Sequence, residues 1–295
     1  MNKLYALLMA LFIFIPTPSR SQSSDVPESS SRVIDITGQV QAMIEAGYHQ
    51  VTDHGQGMSA QEYRAIWGET VEQPSEYAGR FDSVLLVDRT IDLHRLLALT
   101  KGLLNKSTET DYYLISAKVK GEERLCFAYQ HRGGCKEKWL MDFVSPPYTN
   151  LSKDIPKRYV VYFQDGQRYL SQTVRQVQSG MPDDEVGLTA LEGLHLVVQY
   201  SPQPQFRKGS EHLRAMILAG THIFSGNRES AGGHVFTGPD ADRYLDNDFT
   251  AQVPVLVWFD ARDSRQVIMH TDFTTHEKKQ FAAVATRGGL IKTVK

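Results

Sequence analysis

The chain is 295 residues long, carries 32 basic against 34 acidic side chains for a formal charge of −2, and is 41% hydrophobic. That length holds one large core or two modest ones. The acidic balance excludes a chain organised around a phosphate-neutralising basic stripe, so no nucleic acid is expected as a partner; the densest basic stretch, Lys136 to Lys138 with Arg132 nearby, is interrupted by Glu137 and reads as a solvated strand face.

Residues 1–21 read as a secretory signal peptide. Lys3 precedes an apolar run from Leu4 to Ile15, Pro16 and Pro18 break it, and Ser19-Arg20-Ser21 places cleavage after Ser21. The run is short of the roughly 18–20 residues that cross a bilayer, so the mature chain is expected to be exported, periplasmic or secreted, with no transmembrane segment. No cysteine lies near the junction, which speaks against lipid attachment. Loss of Lys3 and Arg20 with the leader takes the formal charge to about −4. Residues 22–32, rich in Ser with Pro27 and acids, cannot bury enough apolar surface to order themselves and form a flexible leader.

Order is expected from Val33. Thr37 is placed to cap a short helix with Val40, Met43 and Ile44 on one face and Gly47 as its left-handed exit. Ser59-Ala60-Gln61-Glu62 is a capping box that opens a second helix, and Gly68 stops it. Leu93, Leu96, Leu97, Leu103 and Leu104 predict a long amphipathic helix over Asp92 to Leu104. Strands follow at Tyr112 to Val119, Arg124 to Gln130 and Lys138 to Val144, ended by Ser145-Pro146-Pro147. The leucine face is expected to lie against that first sheet.

Cys126 and Cys135 flank the turn between the second and third of these strands, and export makes their disulfide the natural state. In the chain-entropy account it removes on the order of 2.7 kcal/mol of unfolded-state freedom. A tight turn at Arg132-Gly133-Gly134 would put Cys126 opposite a residue near Leu140, too far from Cys135 for a bridge. The disulfide therefore favours a looser hairpin centred near Gln130 and His131.

Past Pro156, Tyr159 to Phe163 and Arg168 to Val177 read as a hairpin around Asp165-Gly166. Further strands are expected at Leu194 to Tyr200, Leu213 to Phe224, Val253 to Phe259 and Gln266 to His270, the last two joined by Asp260 to Ser264. Thr274-Thr275-His276-Glu277 opens a C-terminal helix through Phe281, Ala282 and Val284 that Gly288-Gly289 ends. The class is α+β, mostly antiparallel sheet with small N-terminal helices, the long leucine helix and a C-terminal helix. A joint at Pro146 to Pro156 divides residues 33–150, an α+β domain, from residues 151–295, a β-rich one.

Motifs that carry chemistry are scarce. His276-Glu277-Lys278-Lys279-Gln280 lacks the second histidine of the zinc-protease pattern, because Gln280 stands in its place, and is explained as a helix start. Asp240 to Asp248 fails the EF-hand spacing at Tyr244 and Leu245. Asp183-Asp184-Glu185 falls in a polar turn and is expected to be solvated. Nucleophile-elbow, phosphate-loop and dinucleotide fingerprints are absent. No catalytic, cofactor-binding or metal residue is therefore assigned, and no cofactor is expected. The chain reads as an exported, non-catalytic binding or assembly protein whose partner is another protein or an envelope component, with the long loop from Ser225 to Thr250 as its contact region. One alternative is a secreted metal-dependent hydrolase assembled from His222, His234, His270 and Asp272; another is a secreted toxin or inhibitor. Asn105 and Asn150 begin Asn-x-Ser sites that matter only in a glycosylating host.

Overall fold

The computed structural model describes residues 31–100, 112–119, 122–129, 140–142, 155–170, 172–200, 215–220, 222–224, 251–261, 264–273, 282–289 and 292–294. Strand β1 (Arg32–Asp35) opens the fold and pairs antiparallel with β2 (Thr70–Gln73). Between them lie α1 (Thr37–Glu45), α2 (Tyr48–Gly55) and α3 (Ala60–Trp67). Thr37 is the first helical residue rather than the cap: its backbone N–H and its hydroxyl both donate to the Asp35 carboxylate, at 2.8 and 2.7 Å. Val40, Met43 and Ile44 are buried, and Gly47 exits at φ +90°, as the spacing predicts. The Ser59 box forms in full, with Glu62 N–H donating to the serine hydroxyl at 3.2 Å and Ser59 N–H to the Glu62 carboxylate at 2.8 Å.

Strand β3 (Ser83–Asp88) leads into α4 (Leu93–Thr100), whose backbone lies against β4 (Tyr112–Val119) and β5 (Glu122–Tyr129). Leu96 and Leu97 are buried in a core shared with α1, α2 and α3, while Leu103 and Leu104 fall outside the described residues. Strand β6 (Leu140–Asp142) pairs with β5 through Cys126 and Leu140, whose midpoint is Gly133. Cys126 thus has Leu140 as its cross-strand partner, and the looser hairpin expected near Gln130 and His131 lies outside the described residues. Cys135 lies outside the described residues.

Strand β7 (Arg158–Gln164) is the centre of a five-stranded antiparallel sheet. The hairpin partner expected at Arg168 to Val177 does not form. Gly166 does take a positive φ of +102°, but the chain turns into a 3₁₀ segment (Gln167–Tyr169) and then α5 (Val174–Gly180). Thr173 and Gln176 form a capping box there, and Val174 and Val177 are buried three residues apart, a helical period. After β8 (Glu185–Gly187), the strand expected at Leu194 to Tyr200 is instead α6 (Ala190–Tyr200). A third box starts it: Glu192 N–H donates to the Thr189 hydroxyl at 3.2 Å and Thr189 N–H to the Glu192 carboxylate at 2.8 Å. Burial overrides the strand preference of Val197 and Val198, since α6 is buried on nearly every side, as a helix is when it runs through a core.

Sheet and helix meet at an edge. Among the described residues, strand β3 pairs only with β7, so its other edge offers bare backbone groups. Gln199 fills that edge: its amide donates to Leu86 C=O at 2.6 Å and accepts from Leu86 N–H at 3.1 Å, and the Tyr200 hydroxyl donates to Val84 C=O. One face of the sheet (Val84, Leu86, Val160, Tyr162) packs on α1, α3 and α4. The other (Leu85, Val87, Tyr159, Val161, Phe163) packs on Leu196, Met216, Leu218 and Leu256.

The second large sheet takes β9 (Ala215–Ile217), β10 (His222–Phe224), β11 (Ala251–Ala261), β12 (Ser264–Phe273) and β13 (Ala282–Val284) together with β4, β5 and β6. The β11–β12 hairpin is where the sequence places it. Strands β9 and β10 follow one another along one edge of β11, and Pro254 falls between the residues that pair with each. A missing amide donor is tolerated there because the ladder changes partner. At the C-terminus the predicted helix is corrected at its end: Ala282 to Val284 are β13, and β14 (Thr286–Gly288) and β15 (Lys292–Thr293) join β7, while residues 274–281 lie outside the described set.

The class is α+β with antiparallel sheets. The joint at residue 150 does not divide the core, because β3 pairs with β7 across it over six residue pairs and the eight-stranded sheet takes strands from both sides. The two sheets meet at Gly187 and Gly220, where Gly220 N–H donates to Leu188 C=O at 2.9 Å. A Cβ on Gly187 would stand 2.6 Å from Gly220 N, and one on Gly220 would overlap Gly187 O. Gly220→Ala is expected to destabilise by about 1–3 kcal/mol through overpacking, read as a lower urea midpoint; an unchanged midpoint would show that the crossing can open.

Candidate functional site

The most unusual backbone in the described residues is the end of α2. Thr52 leaves the helix at ψ 166°, and Asp53 (φ +49°, ψ +52°), His54 (φ +56°, ψ +34°) and Gly55 (φ +85°) then follow in left-handed geometry. Non-glycine residues visit that region singly and at a cost of roughly 1–2 kcal/mol each, because Cβ crowds the following carbonyl. Two in succession persist only where surrounding structure determines them.

That structure is a buried polar node on Asp88, at the end of β3. Its Oδ1 accepts from Thr90 N–H and the Thr90 hydroxyl at 3.0 and 2.6 Å; its Oδ2 lies 2.8 Å from the Thr52 hydroxyl, 3.1 Å from the Tyr63 hydroxyl and 3.3 Å from Arg158 Nε. Arg158, from β7, reaches on with Nη2 to the Thr52 hydroxyl and the Asp53 carboxylate, both at 2.8 Å. Burial opposes the Arg158 charge, but the Asp88 and Asp53 carboxylates more than offset it and hold its pKa above the ordinary value. The turn itself is bonded to the loop after β3: Asp53 N–H donates to the Thr90 hydroxyl at 2.9 Å and His54 N–H to Thr90 C=O at 2.8 Å.

What this clamp presents outward is polar and charged. His54, 70% exposed, sets Nδ1 3.0 Å from Asp92 Oδ1, and Arg95 Nε lies 3.5 Å from Asp92 Oδ2. The Arg95 guanidinium crosses Gly55, where any Cβ would overlap it. Asp92 orients the imidazole as the acid of a catalytic triad does, but no hydroxyl or thiol is bonded to His54 among the described residues. The pair offers a proton donor or acceptor to a partner rather than an activated nucleophile.

Beneath the node, Tyr48 and His195 meet edge to face with ring centroids 5.5 Å apart. Both are wholly buried, and neither the Tyr48 hydroxyl nor either His195 ring nitrogen has a hydrogen-bond partner among the described residues. Burial lowers the His195 pKa to about 4, with the Asp88 charge opposing it. Burial, with Asp88 adding to it, raises that of Tyr48 well above the ordinary value.

Of the acidic run at 183–185, Asp184 is exposed and pairs with Arg80 at 2.8 Å, but Glu185 is buried, contrary to expectation. It lies in β8, accepts from the Tyr169 hydroxyl at 2.9 Å and from the Thr286 hydroxyl, and faces Arg168 and Arg80. A second buried acid, Glu192, sits 2.8 Å from Arg287 Nε. Both acids are paired with arginines inside the fold and tie β8 and β14 to their surroundings, the Glu192–Arg287 pair by proximity of charge, since Arg287 Nε is not aligned for a hydrogen bond.

The residues singled out in the sequence are placed by backbone alone or not at all. His222 lies in β10 opposite Asp142, and His270 and Asp272 lie in β12 opposite Val255 and Val253. His234, the 225–250 loop, Asp240 to Asp248 and His276 to Gln280 fall outside the described residues. The Asp88 node escapes sequence reasoning because its members are far apart in the chain; the one local signal is Asp53-His54-Gly55, a glycine-terminated polar turn. Among the described residues, no group of three His, Cys, Asp or Glu could hold a metal ion, and no described helix is long and apolar enough to cross a membrane. Compared with known proteins, the chain matches no family model, no curated protein and no solved structure.

Proposed function

We propose that the chain is an exported, non-catalytic binding protein of the cell envelope or extracellular space, and that it meets its partner through the left-handed turn of Asp53 to Gly55 with Asp92 and Arg95. The leader supports the address. The observation that carries the binding face is the strained turn itself, bonded to Thr90 and Arg158, which are in turn fixed by the buried Asp88 carboxylate, so that an exposed histidine and charged groups are presented together. Backbone strain of this kind gathers at sites that bind or switch. The mixed charges fit a polar protein surface or an envelope component.

A photo-crosslinking side chain at position 56, exposed beside the turn, tests this in the native host against the same probe at Val33, which is also exposed. A crosslinked species at 56 that is absent at 33 and lost on Asp92→Ala supports the reading; equal labelling at both positions overturns it. His54→Gly is expected to leave stability within about 1 kcal/mol, because relief of left-handed strain is offset by the freer unfolded chain and the lost exposed pair, yet to abolish partner capture. The address has its own check. Mature protein should begin at Gln22.

A further inference from the structure

Helix α2, which ends in the left-handed turn, is held to the core at two points. Tyr48 and Thr52 are both wholly buried, and residues four apart share a helix face. Thr52 meets the Asp88 carboxylate through its hydroxyl at 2.8 Å. Tyr48, one turn earlier, stands edge to face on His195 of α6. The two anchors differ in kind. The first is hydrogen-bonded. In the second, neither ring nitrogen of His195 has a hydrogen-bond partner among the described residues, nor has the Tyr48 hydroxyl.

A neutral imidazole is tolerated in such a place and an imidazolium is not, because a buried charge without acceptors carries a large desolvation cost. Among the described residues, two ionisable groups from other elements face the ring. Tyr48 of α2 stays protonated, and Asp88, at the end of β3, is already shared among Thr52, Tyr63, Thr90 and Arg158. On α6 itself, Glu192 is paired with Arg287. On α1 and α4, which also pack on α6, Glu45 and His94 are exposed and Arg95 is turned to Asp92. No described carboxylate is therefore free to take up a proton-bearing ring in place.

We infer that His195 is an acid-operated latch on the binding turn: protonation expels the ring from beneath Tyr48, frees the start of α2 and lets the Asp53 to Gly55 turn relax and release its partner. This rests on the binding role proposed above for that turn. Left-handed residues persist only while their surroundings determine them, and one of the two anchors of α2 is lost with the ring. Burial holds the imidazole at about 4, against about 6.5 once it is exposed, so opening becomes about 30-fold more favourable between pH 7.5 and pH 5.

Amide exchange of the full mature chain reads the latch without a partner. After correction for intrinsic rates, the opening constant at Asp53 and His54, whose N–H groups are held by Thr90, should rise by about 30-fold from pH 7.5 to pH 5. The amides of the β3–β7 ladder should remain far more protected at both pH values, and the rise at the turn should vanish in His195→Leu. His195→Gln, which also carries no titrating group, repeats the comparison if the leucine variant does not fold. The crosslinked species from the probe at position 56 should form at pH 7.5, be lost at pH 5, and persist at pH 5 in the folded variant. Turn amides indifferent to pH, or equally responsive without His195, overturn the inference. So do equal opening constants at the turn and in the ladder, which would mean global unfolding. Absence of any crosslink at either pH counts against the binding role alone, and exchange still decides the latch.

Discussion

Asp88→Ala is expected to lower unfolding free energy by about 3–5 kcal/mol, the range found when one member of a buried ion pair is removed and the other is left inside. Arg158 would keep Asp53 but lose the carboxylate facing its Nε, and the hydroxyls of Tyr63, Thr52 and Thr90 would lose their acceptor. Each buried polar group left without a partner costs about 1–3 kcal/mol. Asp88→Asn retains the shape and one acceptor oxygen and should fall between wild type and alanine. Urea unfolding measures the ordering, and amide exchange at Asp53 and His54 should rise in parallel, because both N–H groups are held through Thr90. A midpoint for Asp88→Ala equal to that of wild type would show that the strained turn is stable without its anchor.

Mild acid should destabilise this fold through the buried imidazole of His195. His195 is neutral in the folded chain, with its pKa lowered from 6.5 to about 4 chiefly by burial. In the unfolded chain it takes up a proton near pH 6.5. Between those values the unfolded state therefore binds more protons, and stability falls as pH falls, by about 1.4 kcal/mol per pH unit and about 3 kcal/mol in all, with no further loss from this group below pH 4. The groups around the ring are Tyr48, which stays protonated throughout, and Asp88, whose charge acts against the shift. Hydrogen bonds hold the carboxyls of Asp35, Glu62 and Asp184 below the ordinary range. His195→Leu should flatten the stability profile between pH 6.5 and 5. An equal slope in that variant would assign the acid response to other groups.

Local signals in the sequence are reliable where a single element carries them. The Ser59 box, the Gly47 exit, the meander from Tyr112 and the hairpin around Asp260 to Ser264 are all present. Errors arise where two local signals compete. Leu194 to Tyr200 alternates and holds paired valines, but Thr189 and Glu192 cap it as a helix; Asp165-Gly166 points Arg168 to Val177 toward a hairpin, while Thr173 and Gln176 cap a helix inside it. In both cases the capping box decides. Strand β3 gives no sequence signal of its own: Val84 to Val87 is a bare apolar run without period, as a strand buried on both faces must be. Without β3, its pairing with β7 and the meeting of Asp88 with Arg158, 70 residues away, cannot be inferred. The contacts that build the candidate site are non-local hydrogen bonds, and no spacing rule encodes them.

The side-chain amide of Gln199 behaves toward Leu86 as one rung of an additional strand would, offering a donor and an acceptor at the right separation. An imitation rung terminates what a real strand would propagate. The five-stranded sheet is consequently sealed on that flank against self-templated fibril growth and against partners that bind by strand addition. Thinning of α6's hold on the sheet, by acid at His195 four residues earlier, would unseal it, so the same protonation that loosens the core would also leave a sticky backbone margin open to neighbouring molecules.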